Sequence, residues 1–163
     1  MGVLTDYFRA PDAAAVVRAM ERDDRMLVGG RDPVFDGVEA KRVDPNVVLA
    51  QLVAAIRREP WRVDLVADAP VWPTTAPPGP EGLEDEDDPW VTGPWVTELD
   101  TATRDALAGV PDDLVPEAVA RWARAEELGG VDPEFLLPLA EELIALARRA
   151  RAAGEQLYCW ICL

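Results

Sequence analysis

The sequence predicts an α+β fold: a small mixed sheet containing both chain termini, packed by four to five helices, with a long acidic proline-rich loop. Three observations predict it. The chain closes on LeuTyrCysTrpIleCysLeu, residues 157–163, which carries no charge. A run so short and so apolar reads as a strand buried on both faces in the middle of a sheet. At the other end, GlyValLeuThrAspTyrPhe, residues 2–8, is a second short apolar and aromatic run. Between the two, apolar residues recur at helical spacing in stretches bounded by Asp-Pro starts and Gly or Pro stops. With 163 residues and 49% apolar composition, the chain can bury one core, so 1–163 is expected to be a single domain.

Taken in order, Pro11 and Asp12 open a helix expected to reach about Arg22, with Val16, Val17 and Met20 on its inner face. Arg25 to Gly37 reads as a connection, because Gly29-Gly30, Asp32-Pro33 and Asp36-Gly37 are turn signals. Asp44 caps and Pro45 begins a second helix, to about Arg58, whose stripe is Val48, Leu49, Leu52, Val53 and Ile56. Pro60 stops it. Asp100 caps a short helix ending near Gly109, and another helical region runs from about Pro116 to Leu128 before Gly129-Gly130. Trp122 is expected inside. Asp132 and Pro133 then open the longest helix, with Leu136, Leu139, Leu143, Ile144, Leu146 and Ala147 on one stripe and Gly154 as its stop. Pro138 lies beyond its first turn and removes a hydrogen bond, so a kink or a short separate turn at 133–137 is expected.

Residues 60–98 differ in character. Tryptophan and proline adjoin four times, at Pro60-Trp61, Trp72-Pro73, Pro89-Trp90 and Pro94-Trp95. Between them lies TTAPPGPEGLEDEDDP, read as an exposed loop over 76–89 with short strands flanking it at Val63–Val66 and Trp95–Glu98. Charge concentrates here. The net charge is −15, and residues 60–100 hold 10 acids against one base. Nucleic acid and anionic membrane surfaces would be repelled, and basic proteins or cations attracted.

The absences exclude whole classes of chemistry. The chain has no His and no Ser, and Lys41 is its one lysine. A Ser-His-Asp triad, a Cys-His pair and a histidine-ligated metal are impossible within it, and no phosphate loop can be written around Lys41. Cys159-Trp160-Ile161-Cys162 is a C-x-x-C, but redox pairs of this kind set the first cysteine at a helix N-terminus, and zinc would need two more soft ligands. In a strand the two sulfurs point to opposite faces, so both are expected to behave as small buried hydrophobes. The acidic run at 81–88 lacks the glycine and distant glutamate of a calcium loop, because Pro89 and Trp90 stand in their way. No metal and no cofactor are expected. No stretch approaches the ~20 apolar residues that cross a bilayer. The N-terminus has early acids and no signal-peptide core, so a cytoplasmic location is expected.

Both chain ends have a pattern of their own: a short strand running into Tyr7-Phe8-Arg9 and then a helix, and a long helix followed by Arg149–Gln156 and a terminal apolar strand with Trp160. In these features, over roughly 60 residues, the chain resembles the YfbM-like family of uncharacterised bacterial proteins. That resemblance implies a compact α+β fold and carries over no catalytic residue.

The functional expectation is a non-enzymatic, cytosolic protein-binding module. Its partner would be basic, and the most concrete form is an immunity or inhibitor protein that neutralises a basic toxin. Glu84, Asp85, Glu86, Asp87 and Asp88 would steer association, with Trp90 and Trp95 as anchors. Two other readings stand beside it: a small enzyme or ligand-binding protein using a carboxylate or arginine pocket between sheet and helices, and a nucleic-acid mimic. Against the binding reading of the tryptophans stands the simpler one, that they pin the proline-rich loop to the core.

Overall fold

The fold was analysed in a computed structural model, which describes residues 3–22, 26–82 and 85–163. Five strands form one sheet in the order β2-β1-β5-β4-β3, where β1 is Leu4–Ala10, β2 Gly37–Glu39, β3 Asp68–Trp72, β4 Trp95–Leu99 and β5 Gln156–Cys162. The helices are α1 (Ala13–Met20), α2 (Ala50–Arg57), α3 (Pro89–Thr92), α4 (Thr101–Gly109), α5 (Val115–Trp122) and α6 (Pro133–Ala153). Both terminal strands lie in the sheet, and β5 sits at its centre between β1 and β4.

Every pairing is antiparallel, so the sheet is not mixed. An uncharged run reports that both faces are covered and says nothing of strand direction. Both faces are indeed covered. On one, Tyr7, Leu157 and Cys159 join a core supplied by α2, α4, α5 and α6. On the other, Phe8, Val96 and Tyr158 pack with Val16 of α1 and with Val28. Phe8 stacks between Phe35 and Tyr158, with ring centroids 4.9 and 5.5 Å away. Burial is complete only at Leu157–Cys159; Trp160, Ile161 and Cys162 are half-buried.

Aspartates start the helices because their carboxylates accept the amides that a first turn leaves unpaired. Asp12 accepts from Ala15 N at 2.7 Å, Asp44 from Val47 N at 2.8 Å and Asp132 from Glu134 N at 2.9 Å. Asp100 holds the same place before α4, but its carboxylate accepts the Thr103 hydroxyl. The turn at Pro45–Leu49 is wider than an α-turn: Leu49 N donates to Asp44 O, five residues back, before α2 proper begins. Trp122, buried as expected, donates from Nε1 to Val48 O at 2.9 Å and so ties α5 to this wide turn.

Four further expectations are corrected. Val63–Val66 is a turn rather than a strand: Leu65 and Val66 are buried as core plugs, and the strand beside β4 begins at Asp68. The helix expected over 116–128 ends at Trp122, and a separate 3₁₀ turn covers Glu126–Leu128. The tail of the connection pairs with β1 as β2, where Gly37 permits an approach no side chain would allow: a Cβ there would lie 2.5 Å from Tyr7 O. Finally, α6 runs unbroken from Pro133 to Ala153, with no separate turn at 133–137. Glu134 and Pro138 both face solvent, so water can take the carbonyl that the missing amide leaves.

Candidate interaction surface

The acidic segment starts from a stretch with no base between Arg62 and Arg104. Of the residues expected to meet a partner, Asp85, Glu86 and Asp87 are exposed, Asp88 is half-buried, and Glu84 lies outside the described residues. Among the described residues, Glu81, Asp85, Glu86, Asp87 and Asp88 have no ion-pair partner. The arginines that do pair sit elsewhere, on Asp36, Glu59, Glu117, Asp64, Asp105, Asp112 and Glu155. The negative potential of the loop is therefore uncompensated locally.

Its shape is held by hydrogen bonds. Asp85 Oδ1 accepts from Asp87 N at 3.0 Å, and Asp88 Oδ1 accepts from Trp90 N at 2.8 Å, capping α3. Trp90 Nε1 donates to Thr75 Oγ1 at 3.0 Å, and Trp95 Nε1 donates to Trp90 O at 3.3 Å. Both indoles are half-buried and spend their N–H groups inside the segment. They fasten its two ends together. The Trp95 ring also lies against Gly93, whose Cβ, if present, would stand 3.3 Å from it. Trp72 packs against the Phe8 and Tyr158 core instead, and Trp61 Nε1 donates to Asn46 O in the wide turn before α2.

Three other clusters carry charge. At the junction of sheet and α6, Asp36 accepts from Arg9 Nε at 2.7 Å and from Arg149 Nε and Nη2 at 2.7 and 3.0 Å, while Arg9 Nη1 reaches Glu155 Oε1 at 3.1 Å. The hydrogen bonds from Arg149, then Arg9, hold Asp36 below the usual carboxylate range. These four charges are matched, and they clamp β1 and the segment before β2 to the end of α6. Asp6, on the opposite face of β1, is different. It borders a cleft of about 220 Å³ with Met20, Met26, Leu27 and Trp160, and burial, then the charge of Glu39, pushes it up to about 6. It has no cationic partner among the described residues.

The third cluster is one that composition did not single out. A cleft of about 520 Å³ opens between α2 and α5, with Trp61 as a wall and Arg58, Arg121 and Arg124 at its edge. This arginine-bearing cleft lies between helices; a second cleft, of about 420 Å³, lies between β2 and α6 and is lined by Glu39, Glu142 and Arg149. A sequence signal existed: Trp61 lies four residues past Arg57, the last residue of α2, and Arg124 lies three residues past Arg121, just beyond the end of α5.

The C-x-x-C residues are separated as the strand alternation requires. Cys159 is buried on the α-helical side, Cys162 is half-buried, and both are free thiols. Burial pushes the Cys159 thiol far up, so it stays protonated and unreactive. Among the described residues no group of three or more Cys, Asp or Glu is placed to hold a metal ion, and no helix is long and apolar enough to cross a membrane.

No protein-family model matches the sequence, and no curated protein or solved structure matches the chain.

Proposed function

We propose that the protein is a non-enzymatic binding module that takes a basic partner protein on its acidic segment, in the manner of an inhibitor that neutralises a basic toxin. The observation that carries this reading is the set of exposed loop carboxylates, Asp85, Glu86 and Asp87, which have no ion-pair partner among the described residues, in a chain of net charge −15. Unpaired surface charge of one sign stabilises nothing within the fold and repels itself. It does speed encounter with an opposite charge.

The internal bonds of Trp90 and Trp95 fit the same reading in a modified form. A loop already fastened loses little conformational freedom when a partner arrives, which favours affinity. The tryptophans then act mainly by holding the platform, and the carboxylates act by steering. Val91, 41% exposed on α3, is the apolar contact such a platform offers beside the acids.

The test begins with capture. The immobilised protein is exposed to a lysate of its own source and washed at about 0.1 M and then about 0.5 M salt, which shrinks the Debye length from roughly 10 Å to less than half that. The proposal expects a basic protein held at the lower salt. It should be weakened at the higher salt and in the variant Glu84→Gln, Asp85→Asn, Glu86→Gln, Asp87→Asn. Asp88 is left intact because it caps α3. Retention that is indifferent to both salt and variant would refute the electrostatic role.

A further inference from the structure

We propose that the cleft between α2 and α5 binds a small zwitterion, a free α-amino acid with an apolar or aromatic side chain. This goes beyond the protein-binding reading and stands on different residues. The cleft's floor is apolar: Ala54 and Ala55 of α2 are short enough to leave room above buried Trp122. Its wall is the Trp61 ring, 41% exposed yet held in place by Nε1 donating to Asn46 O at 3.2 Å. A fixed, open indole face suits a flat or aliphatic group and attracts a cation near it.

Charge of both signs stands around that floor. Glu117 clamps two arginines, accepting from Arg58 Nη2 at 3.0 Å and from Arg121 Nη2 at 2.6 Å. Arg124, exposed beside them, has no carboxylate partner among the described residues. It is the natural receiver of a ligand carboxylate, for which a guanidinium fork is well shaped. Opposite in sign is Glu59. Its Oε1 is shielded from solvent and makes only a long ion pair with Arg57, at 3.7 Å, and no hydrogen bond. Gln51 Oε1 is in the same condition, although its Nε2 is anchored on Glu127 at 2.8 Å. Two shielded acceptors without hydrogen-bond donors are each costly. Their terminal torsions are soft, so a small rotation turns them to a donor-rich ligand group. An ammonium has three such donors and no acceptor.

The field of the whole molecule narrows the ligand further. At a net charge of −15, a free anion is repelled before it reaches the arginines. A zwitterion has no net charge and responds to the local pair, guanidinium at one end and acceptors at the other.

The test is calorimetric titration of the intact protein with phenylalanine and leucine. Two analogues each lack one charge: 3-phenylpropionate has no ammonium, and phenethylamine has no carboxylate. Adenosine monophosphate serves as a planar anion. Phenylalanine or leucine should bind saturably, and each analogue should bind at least roughly tenfold more weakly. Arg124→Ala should weaken phenylalanine by about the same factor and leave phenethylamine unchanged, a split that loss of fold cannot produce. Trp61→Ala should weaken both. No saturable binding by any amino acid, a preference for the nucleotide, or phenylalanine affinity unmoved by both variants would overturn the proposal.

Discussion

Asp6 shows how one residue's behaviour is set by what the fold puts around it. In an unfolded chain its carboxyl titrates near 3.8; in the fold it is raised to about 6, chiefly by burial and then by Glu39 across the strand pair. The folded state therefore binds the proton more tightly, and the ionised group destabilises the fold as pH rises through 6. The cost is absent below about pH 4. Full linkage would be near 3 kcal/mol, but the side chain is only half-buried and solvent screening brings it to about 1 kcal/mol. Asp6→Asn should accordingly stabilise the protein by about that amount in urea unfolding at pH 8 and change nothing at pH 4. An equal gain at both pH values would point to packing rather than charge. Residues whose role is local were legible in the sequence: Asp12, Asp44 and Asp132 cap because an aspartate before a helix caps. Asp6 was not, because its neighbours Met20 and Trp160 come from distant parts of the chain.

At the scale of elements, periodicity located the long helices and both terminal strands, and failed where backbone geometry or tertiary cover decides. β2 has three residues and rests on a close approach that only glycine permits. In Gly37→Ala the new Cβ would stand 2.5 Å from Tyr7 O and 2.7 Å from Val28 Cγ2. A carbonyl in a strand cannot step aside cheaply, so a loss of about 2 kcal/mol or more is expected in urea unfolding. A near-neutral result would mean that β2 is loosely held. The expectation at Val63–Val66 failed because two buried apolar residues in a turn give the same signal as a strand. The alternation of β5 leads to a chemical prediction. Iodoacetamide on the native protein should label Cys162, at the half-buried end, and reach Cys159 only in denaturant. Comparable native labelling of both would contradict the burial of Cys159.

At the scale of the whole molecule, charge is distributed in a way the sequence displayed openly. The excess of acids falls in 60–100, and among the described residues Asp85, Glu86 and Asp87 have no ion-pair partner, while Arg9, Asp36, Arg149 and Glu155 are matched into a clamp. What composition did not reveal is the opposite arrangement around Trp61. Arg58 at the cap of α2, Arg121 of α5 and Arg124 just beyond α5 converge there, and that convergence depends on how α2 packs on α5. The same packing law explains why the tryptophans divide: Trp90 and Trp95 close the loop, Trp72 joins the core, and Trp61 faces the cleft. The central claim is that the acidic loop steers a basic partner. It is tested most directly by the association rate with the captured partner, measured from about 0.05 to 0.5 M salt for the wild type and for the variant neutralised at 84–87. The account predicts a rate that falls steeply with salt for the wild type. The variant should be slower by about tenfold at the lowest salt and nearly flat across the range. Identical rates and identical salt slopes in the two proteins would contradict it.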